Sequence, residues 1–217
     1  MSSLPAVRRG VRIQLDAISR PARTFTGDFY FTHRKDDRVW LALGDVAGKG
    51  LPAAIVMAMI QEELEERIAS CAETVCDPAS TIARLHEFLL PLMPQNRFAT
   101  GVIAHLRDDG LLTYTNAGHC PPLIVRADGS VNELASTGPI MGLLPHASWH
   151  SNKVMLEEGD RLVLYSDGVI EATRGEEELG VCGLRAIVRK AASAREIMDA
   201  LSAYEHGDDT TVVVVTR

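Results

Sequence analysis

The stretch Leu41-Ala42-Leu43-Gly44-Asp45-Val46-Ala47-Gly48-Lys49-Gly50 constrains the chain most: an apolar run stops on an acidic residue and turns through glycines into a helical segment. Val39 to Leu43 is short, β-prone and bounded by charge on one side and glycine on the other, as a buried strand requires. Leu51 to Ile68 has the composition of a helix, and Pro52 is tolerated in its first turn. A carboxylate pinned between strand and helix has little freedom to move, which is what a metal ligand needs. Two roles for Asp45 stay open on this stretch alone: a metal ligand, or a turn residue that satisfies backbone N–H groups ahead of the helix.

The 217 residues suffice for one continuous core and would be crowded as two, so 1–217 reads as a single domain. With 46% hydrophobic and 24% charged residues the chain is neither disordered nor membrane-embedded, and no apolar run approaches the roughly 18 residues of a membrane span. No hydrophobic region follows Arg8-Arg9, so no secretory signal is expected and the location implied is cytoplasmic. No sensor or coiled-coil pattern precedes residue 11, so a chain that stands alone and a piece of a longer protein are both open. The net charge of −7 argues against a nucleic-acid partner, which would want a basic stripe; an acidic protein can still handle phosphate if a cation mediates. Cysteines 71, 76, 120 and 182 form no metal or redox spacing, so reduced thiols are expected.

Val11 to Ala17 alternates apolar and polar residues as a half-buried strand does. Phe29 to Thr32 and the strand entering Asp45 are joined by the charged run His33 to Arg38, a hairpin that sets Asp28 and Asp45 on neighbouring strands. The helix from Leu51 carries Ile55, Met59, Leu64 and Ile68, and Asp77-Pro78 opens a second helix with Ile82, Leu85 and Leu89 inward. Gly101 to Leu106 and Leu111 to Asn116 form a second hairpin; Leu123 to Arg126 and Val131 to Leu134 flank Asp128-Gly129 as a third. Thr137 to Ser148 is too broken for a regular element and reads as an ordered surface flap. Arg161 to Tyr165 is a strand ending on Ser166-Asp167-Gly168, with a helical turn from Val169 to Ala172 behind it. Helices are expected over Leu184 to Ala191 and Arg195 to Tyr204, the latter capped by Ser193 with Glu196 at its third position, and Thr210 to Val215 is a β-branched strand. The sum is an α+β chain with two mainly antiparallel sheets between helical layers.

Four times an aspartate stands beside glycine at a strand edge: Gly27-Asp28, Gly44-Asp45, Asp167-Gly168 and Gly207-Asp208. Carboxylates that converge need cations to neutralise them, and oxygen-only ligation selects hard ions, Mn²⁺ or Mg²⁺. Two ions about 4 Å apart could share Asp45 and hold a bridging hydroxide in line with a phosphorus atom.

Gly27-Asp28-Phe29-Tyr30, GDVAGKG from Gly44, FAT at 98–100, NAGHCPP from Asn116, Gly159-Asp160, YSDGVIEA from Tyr165 and Gly207-Asp208-Asp209-Thr210 together resemble, in order and over nearly the whole chain, the SpoIIE/RsbU/RsbX-type bacterial members of the PPM metal-dependent serine/threonine phosphatases. The resemblance implies a four-layer αββα sandwich and dephosphorylation of phosphoserine or phosphothreonine on a partner protein, an anti-anti-sigma or related STAS-domain protein by analogy. By motif, Asp45 would bridge both metals, Asp28 and the Val46 carbonyl would complete one, and Asp167 and Asp208 the other, with Asp209 a less certain neighbour. Gly48 and Lys49, at a helix start, are candidates to meet phosphate, Lys49 equally a solvated side chain. His119 is expected to be structural. The chain departs from the related eukaryotic enzymes at Ala47, where they carry histidine, so leaving-group protonation would fall to water at the metals. It departs from the common bacterial first motif at Thr26 and Phe31. A pseudophosphatase that only binds a partner is the rival reading, although no core aspartate is lost. The apolar residues Ile55, Met59, Ile82, Leu85 and Leu89 make helices 51–90 a candidate contact for a regulatory partner or a second copy of the chain.

Overall fold

The computed structural model describes residues 13–22, 24, 26–48, 50–70, 76–93 and 97–217. In chain order the elements are β1 (Gln14–Arg20), β2 (Asp28–Lys35), β3 (Arg38–Val46), α1 (Leu51–Ser70), α2 (Pro78–Leu89), β4 (Ala99–Arg107), β5 (Leu111–Ala117), β6 (Leu123–Val125), β7 (Val131–Glu133), β8 (Asn152–Met155), β9 (Arg161–Tyr165), α3 (Asp167–Ile170), β10 (Thr173–Arg174), β11 (Glu177–Glu178), α4 (Gly180–Val188), α5 (Ala194–Ala200) and β12 (Thr210–Thr216). One sheet runs β2-β3-β4-β5-β8 and the other β1-β12-β9-β6-β7, with β10 and β11 a separate ribbon. All strand pairs in both large sheets are antiparallel.

Alternation along β3 shows how the layers arise. Trp40 and Ala42 face Ile60, Leu64, Ile82 and Leu85 of α1 and α2, whereas Leu41 and Leu43 face Leu164 and Val213 of the opposite sheet. A strand covered on both faces reads as a continuous apolar run, which is why its period was invisible in the sequence. On the far side, Val163, Tyr165 and Val212 pack under Leu184, Ile197 and Met198 of α4 and α5. The result is a four-layer αββα sandwich of α+β class.

Tertiary pairing moved several boundaries. β1 runs Gln14–Arg20 rather than ending at Ala17, because it is zipped to β12 from Gln14↔Thr216 to Arg20↔Thr210; Val11 lies outside the described residues. α4 begins at Gly180, whose φ of 61° is one that glycine adopts freely, four residues before the expected start. Glu196 does follow Ser193 at the cap, but its carboxylate accepts from Ala192 N–H while Ser193 Oγ accepts from Glu196 N–H. β8 was not foreseen: its residues are mostly exposed and carry no apolar alternation. α1 buries Ala53, Ile60, Leu64 and Ile68, and Ile55, expected inward, is 51% exposed. The flap is irregular, as expected, yet it is anchored in the core. Met141 is fully buried and exchanges two main-chain bonds with Ala99, and Gly142 N–H donates to His86 Nδ1 at 3.0 Å. Cys120 and Cys182 are free thiols as expected, but Cys76 is disulfide-bonded, a single bridge that spacing rules for metal and redox motifs do not detect. Among the described residues no helix is long and apolar enough to cross a membrane.

Candidate active site

The β2–β3 hairpin sets Asp28 directly opposite Asp45. Like charges placed across a ladder repel, so this pairing costs stability unless something offsets it. Asp28 is buried, and its Oδ2 accepts from Thr211 Oγ1 at 2.7 Å. Burial pushes its carboxyl up to about 7, against the hydrogen bonds of Thr211 and Ser166 and with the charges of Asp45 and Asp209 adding to the rise. Asp45 is pushed up to about 6, first by burial and then by the charges of Asp167 and Asp208. Those two aspartates come from the other sheet, after β9 and before β12.

Asp167 and Asp208 are held differently. Each takes the N–H of the residue that follows, Gly168 at 2.8 Å and Asp209 at 2.9 Å, and both are half-buried. Burial raises the Asp167 carboxyl; the Gly168 N–H opposes that rise, and Asp208 and Asp209 add to it. The two turns are packed together at Gly168, where a Cβ would lie 2.1 Å from the Asp209 carbonyl oxygen. Ser166 Oγ donates to that same carbonyl at 3.1 Å and accepts from Thr211 N–H at 2.9 Å.

Gly27 borders the other half of the site. A Cβ there would lie 2.6 Å from Asp45 Oδ1 and 3.0 Å from the Val46 carbonyl oxygen, so both oxygens face one small space that only glycine leaves open. Asp209, the uncertain neighbour, has a definite structural task. Its two oxygens accept from Ala22 N–H at 2.7 Å and Gly27 N–H at 3.1 Å, fastening the chain ahead of β2 to the end of β12.

Among the described residues no group of three or more His, Cys, Asp or Glu side chains is gathered tightly enough to enclose a metal ion. The aspartates sense one another's charge across the gap between the sheets, and their all-oxygen chemistry together with the space at Gly27 fits a hard cation, but no ion geometry follows from these positions. Gly48 is exposed with φ 122°, and Lys49 lies outside the described residues. Beside Gly48 stands Arg97, whose guanidinium nitrogen would be 3.1 Å from a Cβ at that glycine. The sequence signals for Arg97, Ser166 and Thr211 were only adjacency: each borders or lies within a motif without being an aspartate.

His119 is buried in the turn after β5. Its main-chain N–H donates to Asn116 Oδ1 at 2.8 Å, while ring Nδ1 bonds Thr100 Oγ1 at 2.9 Å. Among the described residues Nε2 has no partner at hydrogen-bond length, although the Tyr165 main chain is close enough to act on the ring. Burial dominates and pushes the imidazole down to about 4, so it stays neutral. Since Thr100 is the register partner of Asp45 and Tyr165 precedes Asp167 by two residues, His119 sits between the sheets as a spacer. Gly159-Asp160 also serves the fold: Asp160 accepts from Arg126 at 2.6 Å and from Glu157 and Ala127 N–H groups.

The family model Stage II sporulation protein E (SpoIIE) matches residues 35–217. The phosphoserine phosphatase RsbU of Bacillus subtilis is 28% identical over 216 residues, covering 94% of this chain and 63% of RsbU. Protein IcfG of Synechocystis is 30% identical over 246 residues, covering 94% of this chain and 38% of IcfG. This chain therefore spans less than two thirds of the length of either relative. Among solved structures, the RsbU and RsbW domains of Rv1364c from Mycobacterium tuberculosis match with a TM-score of 0.80 at 25% identity, over 94% of this chain and 60% of that one. RsbX in complex with magnesium shares the fold, with a TM-score of 0.73 at 20% identity and 94% of each chain covered. With the sandwich, the glycine-flanked aspartates and the match over residues 35–217 in agreement, the chain belongs to the SpoIIE family of PPM-type phosphatases.

Proposed function

We propose that this chain hydrolyses phosphoserine or phosphothreonine on a regulatory protein partner, with residues 1–217 acting as one catalytic domain. The observation that carries the reading is the convergence on Asp45: Asp28 is its register partner, its Oδ1 and the Val46 carbonyl border one space at Gly27, and the charges of Asp167 and Asp208 from the other sheet act on it. Two Mn²⁺ or Mg²⁺ ions would offset it, and the donor set suits them. Asp45 would be shared by both, Asp28 and the Val46 carbonyl would hold one, and Asp167 and Asp208 the other. The RsbX structure of similar fold holds magnesium. Bound there, the ions would supply the charge that activates water and draws electrons from the phosphoryl group.

The chain's own residues do the rest. Thr211 Oγ1 holds the Asp28 carboxylate, Ser166 Oγ holds the Thr211 main chain, and Asp209 holds Gly27 so that the Asp45 and Val46 oxygens stay uncovered. The exposed Gly48 turn at the N-terminus of the 20-residue α1 suits an anion, and Arg97 offers a planar fork of donors to phosphoryl oxygens. Ala47 gives no side-chain acid, and His119 is enclosed, so neither protonates the leaving group.

The partner is expected to be an anti-anti-sigma or STAS-type protein, by likeness to the RsbU-type relatives. The regulatory or homodimer contact assigned to helices 51–90 narrows to the start of α1: Leu51 and Ile55 are exposed, whereas Ile82, Leu85 and Leu89 are used in the core. Phosphate release with Mn²⁺ from phosphorylated STAS-domain proteins tests the reading. EDTA should abolish it, and an undiminished rate in chelator-treated protein would contradict it.

A further inference from the structure

We infer that the outer edge of β2 binds the backbone of the phosphorylated substrate as an added strand, so that the substrate reaches the aspartates as an extended segment. The inference rests on the phosphatase reading above and names how its substrate is held.

β2 is the outermost strand of its sheet. The Val46 N–H to Gly27 carbonyl bond fixes the ladder's parity. Hydrogen-bonded and non-bonded pairs alternate in an antiparallel ladder, so odd-numbered residues of β2 face β3 and even-numbered ones face outward. The first outward N–H, that of Asp28, is taken by Thr26 Oγ1 at 3.1 Å. Beyond it, the N–H and C=O groups of Tyr30 and Thr32 have no hydrogen-bond partner among the described residues.

These groups lie in a groove and not on a bare edge. A cleft of about 620 Å³ follows β2 from Asp28 to His33, with Met57, Gln61 and Glu65 of α1 along one wall and Ser19 of β1 on the other. The wall residues of α1 are spaced four apart, so one face of the helix runs along the strand. Six β residues span about 20 Å, the length of a short peptide strand. Unpaired donors and acceptors repeating every second residue are complementary to an extended backbone and to little else. Asp28 belongs to both the cleft and the aspartate constellation, so a side chain carried on the added strand is delivered to the phosphatase site. Sequence-tolerant backbone pairing would supply affinity, and the walls would select the flanking side chains.

The test compares p-nitrophenyl phosphate, which has no backbone, with a pool of nine-residue phosphoserine peptides with randomised flanks, using the full chain with Mn²⁺. Proline at position 32 removes an outward N–H without touching the bonds to β3, and proline is tolerated on edge strands. Thr32→Pro should lower the ratio of peptide to p-nitrophenyl phosphate kcat/KM by about tenfold, the equivalent of one lost hydrogen bond with its local fit. A second arm leaves the enzyme unaltered and N-methylates the peptide backbone one position at a time. Loss of turnover at alternate positions supports strand addition, even if Thr32→Pro fails to fold. Equal effects at all positions, or no effect, overturn it. A dimer that Thr32→Pro disrupts, with the substrate ratio unchanged, would assign the edge to a second copy and also overturn it. Should the unaltered chain hydrolyse neither substrate, the phosphatase reading itself fails; hydrolysis of p-nitrophenyl phosphate with no peptide preference sinks only the strand-addition proposal.

Discussion

The two halves of the aspartate constellation are built on opposite plans. Asp28 and Asp45 are register partners on the β2–β3 ladder, Asp28 buried and Asp45 half-buried, with their carboxyls raised to about 7 and about 6. Asp167 and Asp208 sit in turns, half-buried, each accepting the N–H of its successor. The ladder pair is placed by strand register, whereas the turn pair is placed by local N–H contacts and by the close packing of the two turns at Gly168.

The largest expected effect is on catalysis. Asp45→Asn should lower kcat/KM for p-nitrophenyl phosphate by at least about a hundredfold, because the residue faces both halves. A loss confined to a few-fold would mean that Asp45 belongs to its own hairpin only.

A second contrast separates glycines that look alike in sequence. Gly27→Ala puts a methyl group 2.6 Å from Asp45 Oδ1 and should cost about 1–3 kcal/mol, read by urea denaturation of metal-free protein. Among the described residues nothing lies within 4 Å of the equivalent position at Gly207, so Gly207→Ala should stay within about 0.5 kcal/mol. Equal costs would mean that the crowding at Asp45 Oδ1 does not set the difference between the two glycines.

In metal-free protein at pH 8, Asp28→Asn should raise Tm by about 2–6 °C, since a buried carboxyl raised to about 7 is held ionised there against its environment. Asp208→Asn should change Tm less, as a half-buried turn residue. Differential scanning calorimetry with EDTA checks both, and the reverse order would contradict the comparison.

The smallest effect is a slope. Burial pushes His119 and His105 down to about 4. Between pH 4 and 6.5 the unfolded chain binds more protons than the folded one, so these imidazoles make stability fall as pH drops through that window. His105→Gln should flatten that part of the Tm against pH curve; an unchanged slope would exclude His105 from it.

The sequence made the architecture legible wherever one side chain pattern served one layer. The hairpins around Asp36-Asp37, Asp109-Gly110 and Asp128-Gly129 declare themselves by turn chemistry, and the buried strands by β-branched runs. β8 was illegible because an edge strand with exposed side chains needs only a backbone partner, here β5. Ile55 was misplaced because an apolar residue on a helix does not say which face the sheet will cover. At the site, the repetition of Gly-Asp marked four positions that the fold brings to one end of the two sheets. It could not rank them: Asp209, identical in composition, spends both oxygens on Ala22 and Gly27, and that division depends on chain segments more than 180 residues apart.

Titration of Mn²⁺ into chelator-treated protein by calorimetry tests most directly whether carboxylates from both sheets form one metal centre. Two ions per chain are expected, both weakened by Asp45→Asn, with Asp28→Asn weakening one and Asp167→Asn the other. No binding by the unaltered chain, or two sites indifferent to Asp45→Asn, would contradict it.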